Sequence, residues 1–229
     1  MARACGRLVL ALLVCVGGPR AAWAQDRSEA QLWVQVLAIG QLPGGWRTHL
    51  EVQPRVMGDV SELGLTIVRT ALGRQIAPRA SLWIGYAWVP RTLGPGVQHE
   101  QRIWQQLLVS GPSPGRWTTT GRFRLEQRRL EPWADTSHRF RAMVRAQRRI
   151  GAGPWSLATY NEAMFTFDAT SPGPERGYDR NRLYFGLVRR LSPALSLEGG
   201  YIWENSTIRG SLRRNDHVAI AVVNLAVPR

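Results

Sequence analysis

The charged residues of this chain fall at a spacing of two. Arg122, Arg124, Glu126 and Arg128 occupy alternate positions, and Arg139, Arg141, Arg145 and Arg149 repeat the pattern shortly afterwards. In an extended chain residues i and i+2 share a face, so each stretch presents a row of guanidinium groups to one side. Those groups pair bidentately with carboxylate or phosphate and stay charged at any relevant pH. Two chemistries follow. The rows could draw small anions, as rings of arginine do in a pore. Alternatively, interleaved glutamates could neutralise them in ion pairs that tie strands together. The network would comprise Arg47, Glu51, Arg122, Arg124, Glu126, Arg128, Arg141, Arg145, Glu162 and Glu198.

Other candidate chemistry is weaker. Gly111-Pro112-Ser113-Pro114-Gly115 fits G-x-S-x-G, but a nucleophile elbow needs a strand before the serine and a helix after it. Arg116–Arg128 alternates as a strand instead, so the motif reads as a hairpin. His49, His99, His138 and His217 are widely separated, and His99-Glu100-Gln101-Arg102-Ile103 is not H-E-x-x-H. His49 shares a polar face with Glu51, and catalytic triads are set by geometry rather than by spacing. An outer-membrane enzyme that modifies lipid or lipopolysaccharide therefore stays open as an alternative, with no catalytic residue, metal or cofactor assigned.

The elements that must position the arginine rows are strands. From Trp46 to Val56, Trp46, Thr48, Leu50, Val52, Pro54 and Val56 share one face, opposed by Arg47, His49, Glu51, Gln53 and Arg55. That is the period of a strand with one apolar and one polar side. The same alternation runs through Arg116–Arg128, Arg139–Arg149, Leu195–Glu204 and the apolar row Leu82, Ile84, Tyr86 and Trp88. Less regular strands are expected at Gln31–Ile39, Leu63–Ile76, Gln101–Ser110, Trp155–Phe167, Asn181–Leu191 and His217–Val227. Most have the length of a tilted transmembrane strand, about 9–11 residues. The connections Ser110–Gly115, Gly151–Pro154 and Ser192–Ala194 read as tight turns. Arg91–His99, Glu131–Ser137, Asp168–Arg180 and Thr207–Asp216 read as longer polar loops. Short turns at one end and long loops at the other describe an outer-membrane barrel.

Composition narrows the setting. The chain has 229 residues, 30 of them basic and all arginine, against 16 acidic, for a net charge of +14. Its 44% hydrophobic content is too high for a disordered chain. Met1–Ala24 has the form of a cleaved secretory signal, with Arg3 and Arg7, an apolar run Leu8–Val16 and an Ala22-Trp23-Ala24 cleavage site. Both cysteines, Cys5 and Cys15, lie in it, so residues 25–229 would form one cysteine-free β-barrel. Nucleic acid is a poor partner for the charge, because the arginines alternate along strands rather than forming a basic patch interleaved with stacking aromatics.

The reading is an all-β, antiparallel, up-and-down transmembrane-type barrel of 10–12 strands. Eleven segments can be counted, and bacterial barrels normally have an even number. The alternative is a soluble β-sandwich or barrel in the periplasm, binding an acidic partner. Trp46, Trp88, Trp117, Trp155 and Trp203, on apolar faces near strand ends, favour a membrane girdle. The expected partners are outer-membrane lipid, the barrel assembly machinery and a small anionic solute. Lipopolysaccharide is a further one, met by loop residues Arg176, Arg180, Arg209, Arg213 and Arg214. Assembly machinery commonly reads a final aromatic residue, whereas this sequence ends Leu225-Ala226-Val227-Pro228-Arg229. With 10–12 strands, a lumen filled by Arg–Glu pairs is favoured over an open channel.

Several short motifs carry a family resemblance. Glu100-Gln101-Arg102-Ile103-Trp104-Gln105-Gln106, Arg122-x-Arg-x-Glu-Gln-Arg128 and Tyr160-Asn161-Glu162, followed by Asn181-Arg182-x3-Gly186-Leu187 and Gly199-Gly200-Tyr201, resemble the DUF2490 family of uncharacterised bacterial exported proteins. The resemblance runs in order from about Gln31 to Leu225. It implies an outer-membrane-barrel-like architecture and adds no chemistry.

Overall fold

The computed structural model describes residues 27–133, 135–171, 174–208 and 212–228. The expected leader with Cys5 and Cys15, and Arg209, lie outside them. Eleven strands follow one another: β1 (Arg27–Gln41), β2 (Trp46–Met57), β3 (Glu62–Ala77), β4 (Ala80–Leu93), β5 (Gly96–Ser110), β6 (Trp117–Leu130), β7 (Thr136–Arg149), β8 (Trp155–Thr166), β9 (Gly177–Arg190), β10 (Leu195–Thr207) and β11 (Arg213–Val227). Each pairs with its neighbour in the chain, and β1 closes the ring against β11. Every expected segment matches one of these strands, with Arg116, Phe167 and Leu191 falling one residue outside, and the strands mostly run a few residues further than the alternation alone suggests.

Two expectations need correction. The barrel has an odd number of strands and is not wholly antiparallel. An up-and-down chain reverses direction at every turn, so after eleven strands the first and last run the same way. The closing ladder is therefore parallel, from Arg27 opposite Arg214 to Gly40 opposite Val227. The loops are also shorter than expected. Gly94-Pro95 alone separates β4 from β5, and Gly94 takes the positive φ of 54° that so tight a turn requires. Strand pairing resumes at Gly177 and Arg213, within the supposed loops Asp168–Arg180 and Thr207–Asp216. At a barrel rim both faces of a strand meet polar surroundings, so the alternation fades before the strand ends. The longest connection is the one between Thr166 and Gly177.

One end of the barrel carries the connections 42–45, 78–79, 111–116, 150–154 and 191–194 and is called here the turn end; the opposite rim is the loop end. The Ser113 motif sits in the 111–116 hairpin, with β6 and no helix after it.

The two strand faces have opposite chemistry. Leu50, Val52, Leu72, Leu82, Ile84, Ile103, Leu157, Phe185 and Leu187 point outward and are exposed. Trp46, Phe123 and Tyr201 are each 42% exposed on the same surface. The inward face buries seven arginines and seven carboxylates, counted among the described residues. Buried apolar side chains also form two clusters, one on β1 and β8–β11 and one on β3–β5. One cluster contains Trp33, Tyr184, Ile202, Val218 and Ile220, and the other Ile67, Trp83, Ala87, Val89 and Trp104. Large rings fit because the floor beneath them is glycine: a Cβ on Gly73 would strike Trp83, one on Gly85 would strike Trp104, and one on Gly186 or Gly200 would strike Tyr184.

Candidate functional site

The register puts like charges opposite each other, and a glutamate relieves each clash. Arg102 faces Arg128 across β5 and β6, and Arg124 faces Arg141 across β6 and β7. Adjacent like charges are unfavourable. Glu100 reaches between the first pair, meeting Arg128 Nε at 2.6 Å and Arg102 Nε at 2.9 Å, and takes Arg91 at 2.8 Å as a third partner. Glu126 does the same for the second, at 2.9 Å from Arg141, 3.6 Å from Arg124 and 2.6 Å from Arg139. Glu162 on β8 repeats the unit with Arg122 at 2.7 Å, Arg141 at 2.8 Å and Arg182 at 3.5 Å. Each of these carboxylates thus serves three guanidinium groups.

The units join into a closed circuit. Glu126 pairs with Arg141, Arg141 with Glu162, Glu162 with Arg182 and Arg182 with Glu204. Glu204 then meets Arg180 at 2.9 Å, Arg180 meets Asp179 at 3.4 Å, Asp179 meets Arg139 at 2.9 Å, and Arg139 returns to Glu126. Every charge in this ring lies between two of opposite sign. Burying ions costs several kcal/mol apiece, and only well-made multiple pairing offsets it. The circuit is drawn from β6 to β10 and ties these neighbouring strands together through their inward side chains. Nearer the turn end Arg145 and Glu198 form a bidentate pair, and Glu51 pairs with Arg69 and with His49.

Two further arginines are held differently. Arg124 gives two hydrogen bonds to Gln106 Oε1, and its guanidinium carbon lies 4.3 Å from the Trp104 ring centroid. Arg55 likewise bonds Gln53 Oε1 twice and lies 3.6 Å from the centre of Trp33. Arg124 still reaches Glu126. Arg55 is 8% exposed and enters none of the ion pairs among the described residues; an amide oxygen and an indole face are its direct partners.

Cavities flank the circuit. On the turn-end side is a vestibule of about 570 Å³, reaching the 191–194 turn and the end of β11. Its lining includes Arg55, Arg69, Arg122, Arg124, Arg141, Arg145, Arg182 and Arg190 against Glu51, Glu162 and Glu198, with Tyr160, Val188, Ile220 and Val222 alongside. Arg122 Nε is buried there without a hydrogen-bond partner. On the loop-end side a cavity of about 260 Å³ is also lined by Arg55, Arg69, Arg141 and Arg182. These four arginines and Trp33 line both spaces. Among the described residues, no group of three or more His, Asp or Glu could hold a metal ion.

Of the residues singled out from the sequence, Glu51, Arg122, Arg124, Glu126, Arg128, Arg141, Arg145, Glu162 and Glu198 meet the lumen and enter ion pairs. Arg47 sits at the turn-end start of β2 and enters none of those among the described residues. Arg69, Arg91, Glu100, Arg102, Arg139, Asp179, Arg182 and Glu204 also enter the network and fall outside the set of ten read from the sequence. In β5 the signal was blurred, because inward Glu100, Arg102 and Gln106 alternate with outward Gln101 and Gln105, and Trp104 turns inward. Of the loop arginines, Arg180 and Arg214 are engaged with Asp179 and Glu204, and with Glu29 and Asp216, respectively.

Fold and site together define a closed, eleven-stranded β-barrel with a cross-linked ionic interior and an apolar exterior. The chain belongs to DUF2490, a family of proteins of unknown function, which it matches over residues 30–214. It is also 27% identical to an uncharacterised protein of Methylorubrum extorquens, over 93% of this chain and 94% of the relative.

Proposed function

We propose that this protein is a bacterial outer-membrane barrel, sealed at mid-lumen, that receives small anions in its turn-end vestibule without conducting them. The observation that carries the reading is the inversion of its faces: large apolar side chains cover the outside while ionised side chains are buried inside. A barrel in water would gain by the opposite arrangement, whereas one in a bilayer needs an outward apolar band with aromatic rims. A periplasmic soluble barrel would leave an apolar surface far larger than soluble monomers tolerate. Arg55 supports the anion, as a buried guanidinium with no carboxylate of its own on the wall of the vestibule. The five side chains that line both the vestibule and the loop-end cavity support the seal, since an ion moving from one space to the other has to pass them.

The test is to express the full chain in a Gram-negative host and fractionate it, then reconstitute the purified barrel. The reading expects co-sedimentation with outer membrane, a heat-dependent gel shift, a silent planar bilayer in chloride, and saturable binding of inorganic phosphate by the detergent-solubilised barrel. Recovery in the soluble periplasm would overturn the membrane assignment. A steady chloride conductance would overturn the seal, and failure to bind phosphate would overturn the receptor role.

A further inference from the structure

Three tryptophans open strands at the turn end, and each has an arginine directly opposite on the next strand. Trp46 faces Arg74, Trp117 faces Arg148 and Trp155 faces Arg189. In every case the guanidinium carbon lies near the indole, at 5.4, 5.7 and 5.3 Å from a ring centroid respectively. These are cation–π distances. All six side chains are exposed. The repetition on three hairpins of one rim makes a partial collar just where the apolar belt ends.

Charge is also segregated between the ends. The turn-end connections and the outward strand faces beside them carry Arg74, Arg79, Arg116, Arg148 and Arg189 and, among the described residues, no Asp or Glu. The loop end mixes Arg27, Arg129 and Arg213 with Asp59, Glu62, Glu131 and Asp135. Among the described residues no carboxylate pairs with the collar's arginines, so the partner that suits them is anionic and lies level with the edge of the belt.

We infer that this Trp–Arg collar binds the phosphates of anionic phospholipid headgroups, an inference that rests on the membrane reading above. Indole rings favour the headgroup layer. Guanidinium groups take phosphate through parallel N–H donors, and stacking on indole holds each arginine close to the barrel wall. Juxtamembrane basic residues are drawn to anionic leaflets by surface charge. The collar therefore fixes the depth of the barrel and gathers a shell of phosphatidylglycerol-like lipid around the turn end alone.

The experiment reconstitutes the full-length barrel in phosphatidylcholine vesicles containing one-fifth phosphatidylglycerol and quenches its tryptophan fluorescence with brominated chains carried on either lipid. The expected result is several-fold stronger quenching per mole by brominated phosphatidylglycerol, and a fall in that preference at high salt. The triple variant Arg74→Gln, Arg148→Gln, Arg189→Gln loses the preference, whereas Arg129→Gln, Arg213→Gln keeps it. Equal quenching by both lipids in a barrel that shows its heat-dependent gel shift overturns the inference and leaves the membrane reading standing. Preference retained in the triple variant overturns the assignment to the collar. A protein that never enters the vesicles overturns the membrane reading, and this inference with it.

Discussion

Arg145 on β7 and Glu198 on β10 meet through two hydrogen bonds, each 2.9 Å, although β8 and β9 separate their strands in the sheet. The pair crosses the lumen, so it joins walls that no backbone ladder joins. Arg145→Ala and Glu198→Ala should each destabilise the barrel. The double variant should cost less than their sum, with a coupling of about 1–3 kcal/mol. Urea unfolding in vesicles, followed by tryptophan fluorescence, measures the cycle. A coupling indistinguishable from zero would mean that the pair is incidental.

The seal should be breakable at Arg141. Its guanidinium holds both Glu126 and Glu162 and lines the cavities on both sides. Arg141→Ala removes one of the side chains that line both spaces and leaves two carboxylates short of a partner. A loss of roughly 3–5 kcal/mol is expected for breaking such a buried set. Planar-bilayer recording should show small conductance events in the variant and none in the parent. A variant as silent as the parent would show that other side chains seal the lumen.

Arg55 gives the opposite sign. Its buried charge is met by Gln53 and Trp33 rather than by a carboxylate. Replacement by Met keeps contact with the indole face and removes a buried ion that no carboxylate pairs directly, and such replacements are often neutral or stabilising by about 1–4 kcal/mol. Arg55→Met should therefore unfold no more easily than the parent while binding inorganic phosphate at least tenfold more weakly. Calorimetric titration beside a urea curve separates the two effects.

At the loop end, Asp168 accepts hydrogen bonds from the His138 backbone N–H and from its ring Nδ1, both at 2.6 Å. The ring bond chiefly holds the Asp168 carboxyl below its ordinary value. A depressed carboxyl favours the folded arrangement at pH above the ordinary carboxylate range and loses that contribution as pH falls through the lowered value. Carbon-13 titration of Asp168 should give a midpoint below an unperturbed aspartate, and His138→Gln should move it upward. An unchanged midpoint in that variant would place the cause elsewhere.

Strand positions were legible because alternation survives wherever one face is apolar and the other charged, as from Trp46 to Val56. Closure was not. The parallel ladder between β1 and β11 depends on the parity of the strand count, which no local pattern encodes. The charge rows on β6 and β7 could be read directly, since Arg122, Arg124, Glu126 and Arg128 share one face of β6 and Arg139, Arg141, Arg145 and Arg149 share one face of β7. Their partners could not be matched, because the link from Arg139 to Asp179 or from Arg145 to Glu198 depends on barrel curvature and side-chain reach. Trp33 and Trp104 were hidden for a different reason. A tryptophan on an otherwise polar face reads as noise until the arginine stacked on it is seen.

Glycine under an aromatic ring gives the most direct test of how the lumen is packed. Gly200 lies on β10 beneath Tyr184, and a methyl group there would meet both the tyrosine ring and the Phe185 carbonyl. Backbone cannot yield cheaply in a hydrogen-bonded ladder, and the ring is confined by Tyr160, which stacks on it at 4.8 Å. Overpacking of this kind typically costs about 1–3 kcal/mol. Gly153, in the connection between β7 and β8, has no atom within 4 Å of its would-be Cβ. Gly200→Ala should therefore lower the urea midpoint, whereas Gly153→Ala should leave it unchanged. Adding Tyr184→Leu to Gly200→Ala should recover part of the loss, because it frees the space the methyl group needs. If Gly200→Ala alone proves neutral, the tyrosine has room to move and the lumen is looser than the packed rings imply.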